Sequence, residues 1–205
     1  KGPIIVGGDT RTSHDSIKHI VIGALCAVGT DVIDIGKVTT PTVQHMIREH
    51  QAAGGIVITA SHNPIIWNGL KLMNDTGSFL NQREYAAFLE LYEEGPIELA
   101  DWQHIGQIST DPKATEKHIN TIFENIDISE IQNAQLKVFI DANNGAGCVA
   151  NSMLLDRLGV TYTSINNEPN GLFKHDPEPL QMNLFDTIEE MKKGQYDIGF
   201  IQDAD

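Results

Sequence analysis

Several things are scarce in this 205-residue chain, and each scarcity removes a class of function. Only two cysteines occur, Cys26 and Cys148, far apart and without metal-type spacing. A disulfide framework is thereby disfavoured, and both thiols read as small buried apolar residues. Basic residues are outnumbered by acidic ones, 14 to 28, for a net charge of −14, and no Lys/Arg cluster interrupts the acidity. That balance speaks against nucleic acid and anionic membranes as partners. It leaves room for a phosphorylated substrate, since a few local donors and a metal can bind phosphate within an acidic protein. No apolar run approaches the roughly 18 residues needed to span a bilayer. The N-terminus lacks the basic, apolar and small-residue succession of a signal peptide, so the expectation is a cytoplasmic protein. Motifs are missing too: no G-x-S-x-G elbow, no G-x-G-x-x-G and no P-loop lysine.

What is present is 40% hydrophobic and 20% charged, enough to build an ordinary core. The chain starts without Met and stops just past an apolar run, so it reads as a fragment. Short apolar runs at 3–7, 31–35, 55–59, 70–73, 137–140, 162–165 and 198–201 have the length and composition of strands. Between them lie helical periodicities. Ile17, Ile20, Val21, Ala24, Leu25 and Val28 share a face behind Ser13 as N-cap and before Gly29. Thr40-Pro41 opens a second helix, with Thr40 as N-cap. Asn81 and Glu84 form a capping pair for a third. Periodicity fades from Gly95 to about Pro112. Helices through Ile119 to Ile126, Met153 to Leu158 and Leu184 to Lys193 follow. Alternating strands and helices predict an α/β fold. It comprises two consecutive three-layer α/β/α domains with mainly parallel mixed sheets, 1–112 and 113–205, the second truncated. Ligands of such sheets gather at the C-terminal strand ends, where the loops at Asp9, Ser61, Asp141 and Asp203 lie.

An isolated serine after a strand is most often a cap or loop residue. Ser61 is distinguished by its company, with His62, Asn63 and Pro64 beside it and Asn68-Gly69-Leu70-Lys71 one loop length on. Lys71 can neutralise phosphate charge or exchange a proton with a sugar hydroxyl. A Ser-His hydrolase fits poorly, because adjacent side chains are badly placed for mutual proton transfer. Asp203 and Asp205 follow an apolar strand as alternate carboxylates, a pattern that suits a hard cation such as Mg²⁺, although solvated loop acids are commoner. In Gly7-Gly8-Asp9-Thr10-Arg11, Arg11 offers a forked phosphate donor, and a purely structural Asp–Arg pair fits as well.

Taken together, V-G-G-D-T-R-T-S, I-T-A-S-H-N-P with N-G-L-K behind it, F-I-D-A-N-N-G-A-G and F-I-Q-D-A-D resemble the α-D-phosphohexomutase (phosphoglucomutase/phosphomannomutase) family. The loop Asn170 to Pro179 also looks like that family's second-domain loop. The likeness spans the chain, covering the N-terminal domain and most of the second. It implies a phosphotransferase-type isomerase that interconverts hexose 1- and 6-phosphates of glucose or mannose. The route is a phosphoserine at Ser61 and a hexose 1,6-bisphosphate. It implies Mg²⁺ held by phospho-Ser61, Asp203 and Asp205, the latter two matching the start of a D-x-D-x-D-R loop. Arg11, His62 and Lys71 would line the phosphoserine site, with Lys71 as general acid/base, His62 orienting, and Asn63, Arg11 and Lys71 near the phosphate.

The family's N-terminal G-T-D-G-x-R-G segment is absent, and Gly8 stands where many members have arginine. The sugar- and phosphate-gripping C-terminal domains are also absent, so this polypeptide alone is expected to be inactive and to need those domains as partners. Two other readings compete: a phosphoglucosamine mutase, and a non-catalytic binding or scaffold remnant. A nucleotide-binding protein using Asp141 to Gly147 as a phosphate loop ranks lowest.

Overall fold

The computed structural model describes residues 2–205. Two sheets organise the chain. The first contains β1 (Ile4–Gly8), β2 (Val32–Lys37), β3 (Gly54–Ile58), β4 (Leu70–Met73) and β5 (Ile108–Thr110), in the order β4-β3-β1-β2-β5. All neighbours are parallel except β4, which runs antiparallel to β3. The second contains β6 (Lys137–Asp141), β7 (Thr161–Ile165) and β8 (Ile198–Ile201), all parallel, in the order β7-β6-β8.

The sequence explains the layering. In β1, Ile5 and Val6 point to opposite faces, as successive strand residues must, and both are fully buried. Ile5 joins Val43, Met46, Ile47 and Val57 under α2 (Thr40–Glu49). Val6 joins Ile22, Cys26, Val32 and Ile58 under α1 (His14–Ala27). The first sheet is thus covered on both faces. Truncating a core residue such as Ile47 to Ala is expected to cost about 2–5 kcal/mol. In the second unit, Val138 and Ile140 pack with Leu155 of α6 (Gly147–Leu158) and with Val160. Helix α4 (Ala114–Asn125) lies between the units, packed on both α2 and α6. His45 of α2 stacks on His118 of α4 at 5.2 Å, and Thr42 bonds the His118 Nδ1 at 3.0 Å.

Most element boundaries agree with the pattern, and the differences have local causes. Strands β4 and β8 span the residues that their apolar runs predict. Asn81 and Glu84 form a reciprocal capping box for α3 (Gln82–Glu93). The N-cap of α2 is Thr39, not Thr40: Thr39 is extended at ψ 152° and Thr40 is already helical. Ser13 occupies the α1 cap position without a capping bond: its backbone is already helical, at φ −83° and ψ −6°, and its Oγ accepts from Asn68 Nδ2 at 2.9 Å. Strand β5 lies in the stretch where periodicity fades; its three residues are all exposed, so no apolar alternation marks it. The short helix α5 (Ser129–Ala134), also unsignalled, buries no residue. Cys26 and Cys148 are both free and buried. Among the described residues no helix is long and apolar enough to cross a membrane.

One core residue carries a pH signature. His14 opens α1 fully buried, with neither ring nitrogen hydrogen-bonded. It fills the space that a side chain at Gly8 would occupy, since a Cβ there would meet both the Ile58 carbonyl and the His14 ring. That close packing is the physical reason for glycine at this position. Burial lowers the His14 pKa from 6.5 to about 4, with Asp15, Lys18, Lys37 and Asp34 making smaller and opposing contributions. A base with a depressed folded-state pKa stays neutral in the native state while the unfolded chain protonates. Stability is therefore fully present above pH 6.5 and is lost as pH falls towards about 4. Equilibrium unfolding of the wild type and His14→Leu across that window is expected to show the wild type losing up to about 3 kcal/mol more than the variant.

Candidate active site

Three loops at C-terminal strand ends, from both sheets, meet at Ser61. Strand β1 delivers Asp9, Thr10 and Arg11, and all three are buried. Strand β3 delivers Thr59, whose hydroxyl donates to Asp9 Oδ2 at 2.7 Å and accepts from the Ser61 N–H at 2.9 Å. Asp9 also accepts from the Arg11 N–H at 2.9 Å and from Arg11 Nε at 3.0 Å. Burial lifts the Asp9 carboxyl above the usual range, and Arg11 and Thr59 offset part of that rise.

Arg11 lies beneath the serine loop, not at its mouth. Nη1 donates to the carbonyls of Pro64 and Trp67, both at 2.9 Å, and Nη2 to those of Ser61 and Asn63, both at 2.7 Å. The loop crosses over this fork with Ser61 in the left-handed region, φ +52°. His62 and Asn63 stand exposed on it.

Strand β8 brings the second unit's carboxylates to the same place. Ser61 Oγ donates to Asp203 Oδ2 at 3.3 Å. Lys71 Nζ, from β4, reaches Asp205 Oδ2 at 2.6 Å. Thr40 binds Asp205 twice, its hydroxyl donating to Oδ2 at 2.5 Å and its N–H to the main-chain carbonyl at 3.0 Å. Asp205 therefore sits at the N-terminus of α2, where the helix dipole favours negative charge. Burial lifts Asp203 above the usual carboxylate range, and the charge of Asp205 beside it adds to the rise. For Asp205, burial acts in the same direction but Lys71 and Thr40 outweigh it, holding the group low. Thr40 was not foreseen from the sequence as a site residue. The T-P pair signals only a helix start, and what that start points at depends on the second unit.

Of the expected site residues, Ser61, Lys71, Asp203 and Asp205 come together, with His62 and Asn63 on the adjoining loop. Arg11 is next to them, but its donors face main-chain carbonyls. The donor set around Ser61 is oxygen only, namely one hydroxyl and two neighbouring carboxylates, and a hard cation between the carboxylates would relieve their repulsion. Among the described residues no group of three or more His, Cys, Asp or Glu side chains gathers in a metal-binding arrangement.

The Asp141 to Gly147 turn serves a different purpose from a phosphate loop. Asn143 and Asn144 are buried, with φ +45° and +54°. Their side chains hold the loop at 168–175: Asn143 bonds Lys174 N and His175 O, and Asn144 bonds Leu172 O and Glu168 N. For Asp141, burial would raise the pKa, but His175, Thr187, Asn166 and the Asn143 N–H prevail and keep it low. This hub is invisible in the sequence, because N-N-G reads equally well as a simple turn.

Lys71→Met would leave the nearly buried Asp205 carboxylate without its cation. Because Lys71 itself is partly exposed, denaturant titration is expected to show a loss of about 1–3 kcal/mol. Adding Asp205→Asn to that variant should recover most of it.

Residues 1–96 match the family profile described as phosphoglucomutase/phosphomannomutase, alpha/beta/alpha domain I, and residues 116–205 match alpha/beta/alpha domain II. A phosphoglucomutase/phosphomannomutase of Thermococcus kodakarensis is 36% identical over 203 residues, 98% of this chain and 44% of that protein. A phosphoglucosamine mutase of Methanococcus aeolicus is 35% identical over 210 residues, 98% of this chain and 45% of that protein. A Thermus thermophilus crystal structure assigned as a phosphomannomutase superposes with a TM-score of 0.87 at 28% identity, covering 99% of this chain and 46% of that one. The chain thus spans a little under half the length of the curated relatives it matches. With its two halves matched to consecutive domains of one family, the chain belongs to the phosphoglucomutase/phosphomannomutase family.

Proposed function

We propose that the chain is the phosphoryl-transfer half of a phosphohexomutase that interconverts the 1- and 6-phosphates of glucose or mannose, with Ser61 as the phosphoryl carrier. Residues 1–112 form its first domain and residues 113–205 its second. The observation that carries this reading is the meeting of Ser61 Oγ with Asp203 and of Lys71 with Asp205, across two separate sheets.

In the proposed reaction the Oγ–phosphorus bond of phospho-Ser61 breaks as a sugar hydroxyl oxygen bonds to phosphorus. This gives a hexose 1,6-bisphosphate, which then turns and returns its other phosphoryl group to Ser61. Lys71 is the general acid/base: its ammonium gives a proton to the departing Ser61 Oγ as it takes the proton of the sugar hydroxyl, so it is cationic before and after the transfer. His62, exposed on the loop, orients the incoming oxygen or donates to it. Asp203 and Asp205, with the phosphate carried on Ser61, are the groups that would hold Mg²⁺. When bound, the cation offsets the negative charge on the transferring phosphoryl oxygens. Completion of the cycle in this scheme uses sugar- and phosphate-gripping domains beyond these two, so 1–205 alone is expected to be inactive as a mutase.

The same geometry would serve glucosamine phosphates, and the 35% identity to a phosphoglucosamine mutase supports that second reading. The test is intact mass and phosphopeptide mapping of the full-length protein purified without phosphatase, before and after incubation with glucose 1,6-bisphosphate or glucosamine 1,6-bisphosphate. One phosphoryl group is expected on Ser61 and none on Ser61→Ala. The faster donor identifies the sugar. Phosphate elsewhere, or on no residue with any donor, would overturn the carrier role.

A further inference from the structure

We infer that Arg11 is a positioning residue for the serine loop and not a ligand for phosphate, and that Phe173 from the second unit completes this positioning. The inference rests on the proposed role of Ser61 and goes beyond it, by assigning what holds Ser61 in place.

A guanidinium has five N–H donors and no acceptor. In Arg11 all five are directed at protein oxygens: Nε at Asp9, two at the Pro64 and Trp67 carbonyls, and two at the Ser61 and Asn63 carbonyls. The side chain is fully buried against Asp9. None of its donors remains for a substrate or a phosphoserine. The loop it holds has little packing of its own, since Ile65, Ile66 and Trp67 are all exposed. It also carries a non-glycine residue, Ser61, at φ +52°, a conformation that persists only where surroundings impose it. Lysine could not substitute, because three donors on a point charge cannot span four carbonyls and a carboxylate.

Phe173 covers the clamp. Its ring centroid lies 5.1 Å from Arg11 Cζ, so the guanidinium is capped by an aromatic face. The residues flanking Phe173 are pinned. Asn144 Nδ2 donates to the Leu172 carbonyl and Asn143 Oδ1 accepts from the Lys174 N–H. Gly171, at φ +71°, lies so close to the Thr10 carbonyl that no Cβ would fit. The Asn-Asn hub of the second unit thus presents one ring to the guanidinium that shapes the first unit's loop.

The experiment uses the whole chain and three variants: Arg11→Lys, Phe173→Leu and Phe173→Trp. Hydrogen exchange is read at the 61–69 amides of the unphosphorylated protein. The rate of Ser61 phosphorylation is read against glucose 1,6-bisphosphate concentration. Phe173→Leu is expected to speed exchange in the loop about tenfold and to slow maximal phosphorylation by about the same factor, with half-saturation unchanged. Phe173→Trp should restore both, and Arg11→Lys should exceed Phe173→Leu in both. Weakened half-saturation with unchanged loop exchange in Arg11→Lys or Phe173→Leu would make Arg11 a phosphate ligand and overturn the inference. So would unchanged exchange in both variants. If the wild type takes up no phosphate at all, the proposed function fails, and the exchange comparison still decides the clamp.

Discussion

A buried ion pair, Asp9 with Arg11, is the interaction on which the rest of the site depends. Removing two charges from water is costly, and a lone pair of this kind would contribute little to stability. Here the cost is offset by saturation. Asp9 accepts from Thr59 as well as from Arg11, and Arg11 satisfies four loop carbonyls that would otherwise be unpaired or wet. The pair joins the ends of β1 and β3, two adjacent parallel strands, to the loop that follows β3. An apolar replacement could preserve the core below but would leave the loop carbonyls without donors. The pair is therefore better understood as a shape-determining device than as a source of net stability.

The second constraint is the crossing between units. Ser61 and Lys71 come from the first sheet and its loop, Asp203 and Asp205 from the second sheet. They can meet only because α4 packs between α2 and α6 and because Thr40, at the start of α2, binds Asp205 twice. The electrostatics divide the two acids. Asp205 has a cation, a hydroxyl and a helix N-terminus, and its carboxyl is held low. Asp203, with Ser61 as its side-chain donor and Asp205 close by, is pushed up by burial. The acid bonded to Ser61 is thus the one with the weaker set of compensating donors.

Much of this was legible from residue patterns. The runs that became β4 and β8 carry their own boundaries, and Asn81 with Glu84 announced a capping box because both partners are local. The serine loop and the two carboxylates could be assigned to strand ends for the same reason. What could not be read depends on contacts distant in sequence. That Arg11 spends its donors on carbonyls at residues 61 to 67 is a tertiary fact, and from the pentapeptide a phosphate fork looked equally good. The roles of Thr40, Asn143 and Asn144 are likewise set by partners 24 to 165 positions away. Helix α3 differs again: Tyr85, Phe88, Leu89 and Tyr92 recur at helical spacing, yet no residue of α3 is buried.

The central claim is that Ser61 and the Asp203/Asp205 pair form one phosphoryl-transfer site across two domains. It is tested most directly by phosphorus NMR of the Ser61-phosphorylated chain during titration with Mg²⁺, with Asp203→Asn as the comparison. The account predicts a phosphoserine resonance that shifts saturably with Mg²⁺ in the wild type and barely moves in Asp203→Asn. A resonance indifferent to Mg²⁺ in the wild type, or one that shifts equally in both proteins, would contradict it.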